Sequence, residues 1–173
     1  MEIKLVPLAE NEKERFIKEI QIAFKKTAVE EFGDNGEEII PREDVINAFN
    51  EKGAESYNII CDGEFAGGAV VKICPDTNKN ELSLLFVKVD NHSKGIGLKA
   101  WQAIEKLYPA TKIWETVTPY FEKRNIHFYV NKCGFHIVEF YNPHNMDPHF
   151  RETTNTIQGG EYFFRFEKDM TKN

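Results

Sequence analysis

The stretch Glu81 to Tyr108, ELSLLFVKVDNHSKGIGLKAWQAIEKLY, reads as strand, glycine turn, helix, and it limits what the rest of the chain can build. Leu82 to Val89 is an apolar run of strand length that contains Val and Phe. A polar interval from Asp90 to Lys94 follows, after which Gly95 and Gly97 bracket Ile96. Gly97, Ala100, Trp101, Ile104, Leu107 and Tyr108 recur at helical spacing, so a helix starts at the glycines. The first amides of a helix lack internal partners and carry the positive end of its dipole, and glycine lets a ligand approach the main chain. Such a turn suits a phosphate.

The remaining segments supply packing for this unit. Glu2 to Leu8 alternates and reads as a first strand ending near Pro7. Asn11, with Glu14 three residues later, has the form of a helix cap and capping box. Phe16, Ile17, Ile20, Phe24 and Ala28 then make one apolar helical face as far as Phe32. A loop from Gly33 to Arg42 leads to a short helix around Val45, Ile46 and Phe49 that stops at Gly53. Tyr57 to Cys61 and Phe65 to Cys74 are β-rich runs flanking Asp62-Gly63, a hairpin turn signal, and Glu81 to Val89 continues the antiparallel meander. Lys112 to Val117 is a further strand. Thr118-Pro119 reads as a cap with proline at the first helical position. Ile126, Tyr129, Val130 and Cys133 share a helical face closed by Gly134, and strands at Phe135 to Tyr141 and Tyr162 to Glu167 complete the order. Residues 142–160 are polar and contain two prolines and Gly159-Gly160, a long loop of a kind that is either functional or disordered.

Length and charge narrow the function. The 173 residues, 41% hydrophobic, suit one well-buried core and hence a single domain over residues 1–173. A net charge of −6 and a pI near 5.5 argue against a broad grip on nucleic acid. The N-terminus has no signal-peptide pattern and no run is long enough to span a bilayer, so the expectation is a cytoplasmic protein with no membrane partner. Cys61, Cys74 and Cys133 form an odd set without CxxC and are expected to be ordinary packed thiols. His144 and His149, with Asp147, lack clear further ligands, so no metal is expected. Between Glu30 and Asp44 lie seven acids against the single Arg42, either a solvated surface or a rim that attracts a cationic substrate.

Nucleotide motifs compete for the glycine turn. The pattern GxxxxGK[ST] is absent. Gly95, Gly97 and Ala100 match G-x-G-x-x-G/A, with Glu115 about 20 residues on, where a dinucleotide fold places its ribose-binding acid. Against that reading, five polar residues separate strand from first glycine, and antiparallel strands come first.

HSKGIG, His92 to Gly97, resembles the acyl-CoA pyrophosphate loop of the GCN5-related N-acetyltransferases, whose usual form is Gln or Arg, two variable residues, then Gly-x-Gly or Gly-x-Ala. NIHFYVNKCGF, Asn125 to Phe135, is similar to that family's second signature, a helix with a tyrosine ahead of Gly-Phe, and the element order follows the fold over nearly the whole chain. Two departures stand out: His92 replaces the Gln or Arg, and Tyr129 lies five residues before Gly134, one more than the family pattern, so that Val130 takes the stricter position.

The resemblance implies an α/β (α+β) N-acyltransferase fold with a mostly antiparallel central sheet flanked by helices. It implies acetyl-CoA as co-substrate and direct transfer to an amine of a small molecule or peptide. The main chain of His92, Ser93, Lys94, Gly95, Ile96 and Gly97 would wrap the pyrophosphate. The pantetheine arm would pair with Val87, Lys88 and Val89, with oxyanion-stabilising amides near Val87 and Lys88, and Asn125 would cap its helix or touch the pantetheine. Glu81 takes the position of the glutamate base in the histone-acetylating branch, and Tyr129 is the candidate acid or else a core aromatic. A homodimer is compatible with such a chain. The alternatives are a catalytically silent acyl-CoA-binding module of the same fold and a dinucleotide enzyme.

Overall fold

The computed structural model describes residues 1–34, 39–148 and 162–172. Seven strands form one sheet in the order β1-β2-β3-β4-β5-β7-β6: β1 (Ile3–Pro7), β2 (Ala54–Cys61), β3 (Glu64–Lys72), β4 (Lys79–Val87), β5 (Ile113–Pro119), β6 (His136–Tyr141) and β7 (Phe163–Asp169). Neighbours pair antiparallel except β4 with β5, which run parallel. The helices are α1 (Lys13–Phe32), α2 (Arg42–Asn50), α3 (Ile96–Leu107) and α4 (Lys123–His127), the last continuing into a π turn at Phe128–Lys132.

The two faces of the sheet carry separate cores because strand side chains alternate. Val70 and Phe86 pack with Phe16, Ile17 and Ile20 of α1 and Val45 of α2. The opposite face gathers Ala69, Val71 and Leu82 with Trp101 and Ile104 of α3, and with Trp114, Tyr129, Phe135 and Phe166. The rings of Trp101 and Trp114 meet edge-on at 5.2 Å between centroids.

The hairpin at Asp62-Gly63 forms with φ values of +51° and +86°, the left-handed pair that a two-residue turn between twisted strands requires. Two expected caps differ. Asn11 lies inside a 3-10 turn, Glu10–Glu12, and it is the Glu12 carboxylate that accepts from the Ala9 N–H at 3.0 Å; α1 starts at Lys13. Pro119 does not open a helix. It ends β5 opposite Phe163, since a strand terminus tolerates a missing N–H, and α4 begins at Lys123 with Glu122 as its N-cap.

Candidate active site

The parallel junction of β4 and β5 is short. Register holds at Lys79 with Ile113, Asn80 with Trp114 and Glu81 with Glu115, and then the strands part. Thr116 marks the split: its hydroxyl donates to the Leu82 carbonyl at 2.9 Å where a ladder bond would otherwise lie. A bulge on the other side of β4 supplies a cause, because Ser83 is the extra residue opposite the Val70–Val71 step, and bulges bend and twist the strand that carries them. Gly67 keeps β3 close against this bent strand, since a Cβ there would sit 2.2 Å from the Phe86 carbonyl oxygen.

The hydrogen-bond alternation of the β3–β4 pair fixes which main-chain groups face the gap. Lys88 donates its N–H to Ala66 at 2.8 Å, so Val87 opposite Gly67 belongs to a non-bonded pair, and so does Leu85 opposite Ala69. Their N–H and C=O groups point toward β5; the Val87 carbonyl is met by the His92 ring, and the Val87 N–H with the Leu85 groups faces the open crevice. Lys88 is thereby corrected as an oxyanion donor: its amide is committed to Ala66, and its carbonyl accepts from the Asn91 N–H at 2.8 Å. Val87 retains the required direction.

Beyond Val87, a 3-10 turn at Val89–Asn91 leads to the glycine loop. Ser93 and Gly95 both take positive φ, +65° and +79°, and no side-chain cap closes the start of α3. Among the described residues, the amides of Ser93 to Leu98 meet no main-chain acceptor. They form a row of donors at the positive end of a three-turn helix. Gly95 has open space where a Cβ would be, so its left-handed φ, and not crowding, is what calls for glycine. The His92 ring turns inward: with its Nε2 at 2.7 Å from the Val87 carbonyl it braces loop against strand, and its Nδ1 is buried without a partner among the described residues. Burial, then the nearby Lys26 and Arg124 charges, lower its pKa, so the ring is neutral near pH 7.

On the far side of the split lies a cavity of about 440 Å³. Glu81, Tyr129 and Asn125 all line it, joined by Thr116, Thr118, Glu122 and Tyr141. Tyr129 is both core and site: its ring packs on Phe135 and Phe166, while its hydroxyl meets Thr116. Burial, with the neighbouring Cys133 thiol and Glu122 adding to it, raises the phenol well above its ordinary 10.0, so it stays protonated across the physiological range. The extra residue between Tyr129 and Gly134 is absorbed by the π turn, in which Cys133 donates to the Phe128 carbonyl at 2.9 Å. The wider turn carries one more residue than an α turn, and Gly134 still closes it at φ +84°. Asn125 donates to the Thr118 hydroxyl at 3.3 Å, which ties α4 to β5 at the cavity wall.

Glu122 is the residue that sequence reasoning missed. It is 5% exposed, lines the cavity, and its carboxylate makes no hydrogen bond or ion pair among the described residues. Burial pushes its pKa up to about 7, against the partial counter-effect of Arg124. In sequence it falls just inside the helix expected to open at Pro119, beside Lys123-Arg124; the available signal was its place seven residues, two helical turns, before Tyr129.

Five acids line the cavity, Asp44, Glu51, Glu81, Glu122 and Asp147, and among its described lining residues there is no Lys, Arg or His. Of the acidic segment expected to form a rim, Asp44 alone among the described residues lines the cavity; Glu31 pairs with Lys123 at 3.3 Å, and Glu37 and Glu38 lie outside the described residues. His149, of the candidate histidine pair, is likewise outside them. Among the described residues no cluster of three or more potential metal ligands occurs, and no helix is long and apolar enough to cross a membrane.

Comparison with known proteins meets this geometry. A protein of Bacillus subtilis (strain 168), YrkN, described as uncharacterised, is 52% identical over 94% of this chain and 91% of its own length. Among solved structures, an acetyltransferase from Thermus thermophilus superposes with a TM-score of 0.70 at 15% identity, covering 98% of both chains. A Bacillus subtilis acetyltransferase in complex with CoA gives 0.65 at 21% identity over 97% of each. The model of the acetyltransferase (GNAT) family matches residues 18–135, which contain the split strands, the glycine loop and the π-turn tyrosine, and the chain belongs to that family.

Proposed function

We propose that this protein is an acetyl-CoA-dependent N-acetyltransferase acting on a primary amine of a small molecule or peptide, and that the amine is cationic. The observation that carries the reading is the row of unpartnered amides from Ser93 to Leu98 beside the open edge of β4. The first of these groups suits a diphosphate, and the second suits an amide-bearing arm that pairs like a strand. His92 to Gly97 would hold the diphosphate, Val87 and Val89 the arm, with Asn125 on the opposite wall. The bound thioester supplies the activated acetyl group.

The chain's own residues then handle orientation and protons. An alkyl ammonium with pKa about 10 must lose a proton before it can attack. Glu81, at the head of the split and on the cavity wall, takes it. The Val87 N–H faces the crevice and stabilises negative charge on the acetyl oxygen, a contribution of about 3 kcal/mol for a donor of this kind. Tyr129, held protonated by burial, delivers a proton to the departing sulfur. Cys133 takes no part as a nucleophile: it is 3% exposed in the core, and burial pushes its thiol up to about 12. Transfer is therefore direct. The acid-lined cavity favours a positively charged acceptor.

Thermal unfolding tests the first step, since ligand at about 100 times Kd adds roughly 2.7 kcal/mol. A rise in Tm with acetyl-CoA and none with NAD is expected; the reverse would return the chain to dinucleotide chemistry. Release of CoA thiol with an amine panel tests the second. A protein stabilised by acetyl-CoA that releases no thiol with any amine is a silent binding module.

A further inference from the structure

Forming an amide from an ammonium ion and a thioester removes two protons from nitrogen. The C–N bond forms and the C–S bond breaks; one proton ends on sulfur and one leaves to solvent. Glu81 and Tyr129 account for the first proton lost and for the proton gained by sulfur, but neither receives the second proton, and Tyr129 is left as a phenolate. That phenolate would be buried beside a carboxylate, the least favourable place for it.

We infer that Glu122 takes the second proton from the acceptor nitrogen and returns it to Tyr129, making it a further catalytic residue of the cavity. The position fits the task. Glu122 lines the same cavity as Glu81 and Tyr129, is more than nine-tenths buried, and lies close enough to Tyr129 to perturb its ionisation. No ion pair or hydrogen bond among the described residues holds its carboxylate, so it is available to a substrate ammonium. The groups that face it are Arg124 on its own helix, Glu30 on α1 and Tyr129 in the π turn, and Glu81 lines the same cavity. Its affinity for a proton near neutrality lets it both accept and give one.

The assignment rests on the N-acetyltransfer reading, and kinetics with a reacting amine separate the two. Glu122→Gln is expected to lower kcat about 10²-fold. It should leave the KM and the thermal shift for acetyl-CoA unchanged, and remove the acidic limb near pH 7 from the kcat profile. Glu122→Asp should restore part of kcat together with a shifted limb, which a merely structural side chain would not do. The double variant with Tyr129→Phe should be no slower than the slower single variant, because both act on one proton path. Glu122→Gln retaining wild-type kcat and pH profile, or a fully additive double variant, overturns the assignment and leaves the transfer reading intact. Wild-type protein that is stabilised by acetyl-CoA yet releases no thiol with any amine overturns both.

Discussion

The two halves of the site, on either side of the β4–β5 split, are built on opposite principles. The crevice and glycine loop present main-chain groups from one continuous stretch, Leu85 to Leu98, and the ring that intervenes, His92, braces the backbone. The cavity is made of side chains from α1, α2, β4, β5, α4, the π turn, β6, β7 and the segment after β6, with five acids and no Lys, Arg or His among its described lining residues. A main-chain site is neutral, local and tolerant of side-chain identity; a side-chain site holds charge in a low dielectric and tunes it. The first suits a ligand held through backbone donors whatever side chains flank them, and the second suits a ligand selected by its charge.

The largest expected effect concerns the buried charge of the cavity. Folded Glu122 keeps its proton up to about 7, while the unfolded group releases it near 4.5, so the native state binds more protons in that window. Stability from this group is therefore complete below pH 4.5 and is lost as pH rises through 7. Denaturant titrations should show wild type losing on the order of 3 kcal/mol relative to Glu122→Gln across that range. Parallel curves would place Glu122 in solvent and remove the contrast between the two halves.

Next in size, Tyr129→Phe should lower kcat about 10²-fold. The KM for acetyl-CoA should not move, since the ring keeps its packing against Phe135 and Phe166. A loss confined to stability would make Tyr129 a core residue only. The crevice is probed by Gly95→Ala, which forces a side chain into the left-handed region at a cost of about 1 to 2 kcal/mol. That should raise the KM for acetyl-CoA about tenfold and leave the KM for the amine alone; equal changes in both would join the two halves into one. The smallest effect is ionic. Raising salt from about 50 to 200 mM should raise the KM of a cationic amine roughly two- to fivefold and leave a neutral amine unaffected.

Much of the fold could be read from the chain because its signals are local. The apolar run before Gly95, the Asp62-Gly63 turn and the apolar face of α1 each follow from short-range spacing. The misread caps at Asn11 and Pro119 show the limit: both sit at element junctions where strand pairing and a reaching Glu12 carboxylate outweigh the nearest-neighbour pattern. Tyr129 was visible, but not how a π turn absorbs its extra residue.

Residue order alone dictates the glycine loop, the succession of elements and the presence of Glu81 at a strand start and of Tyr129 five residues ahead of Gly134. These depend on backbone conformation and on periodicity, which a dozen consecutive residues specify. It takes the folded chain to commit the Lys88 amide to Ala66 while Val87 faces the gap, and to seal Glu122 beside Tyr129. Those facts depend on how strands distant in the chain register, and on how much water that packing leaves around a charge.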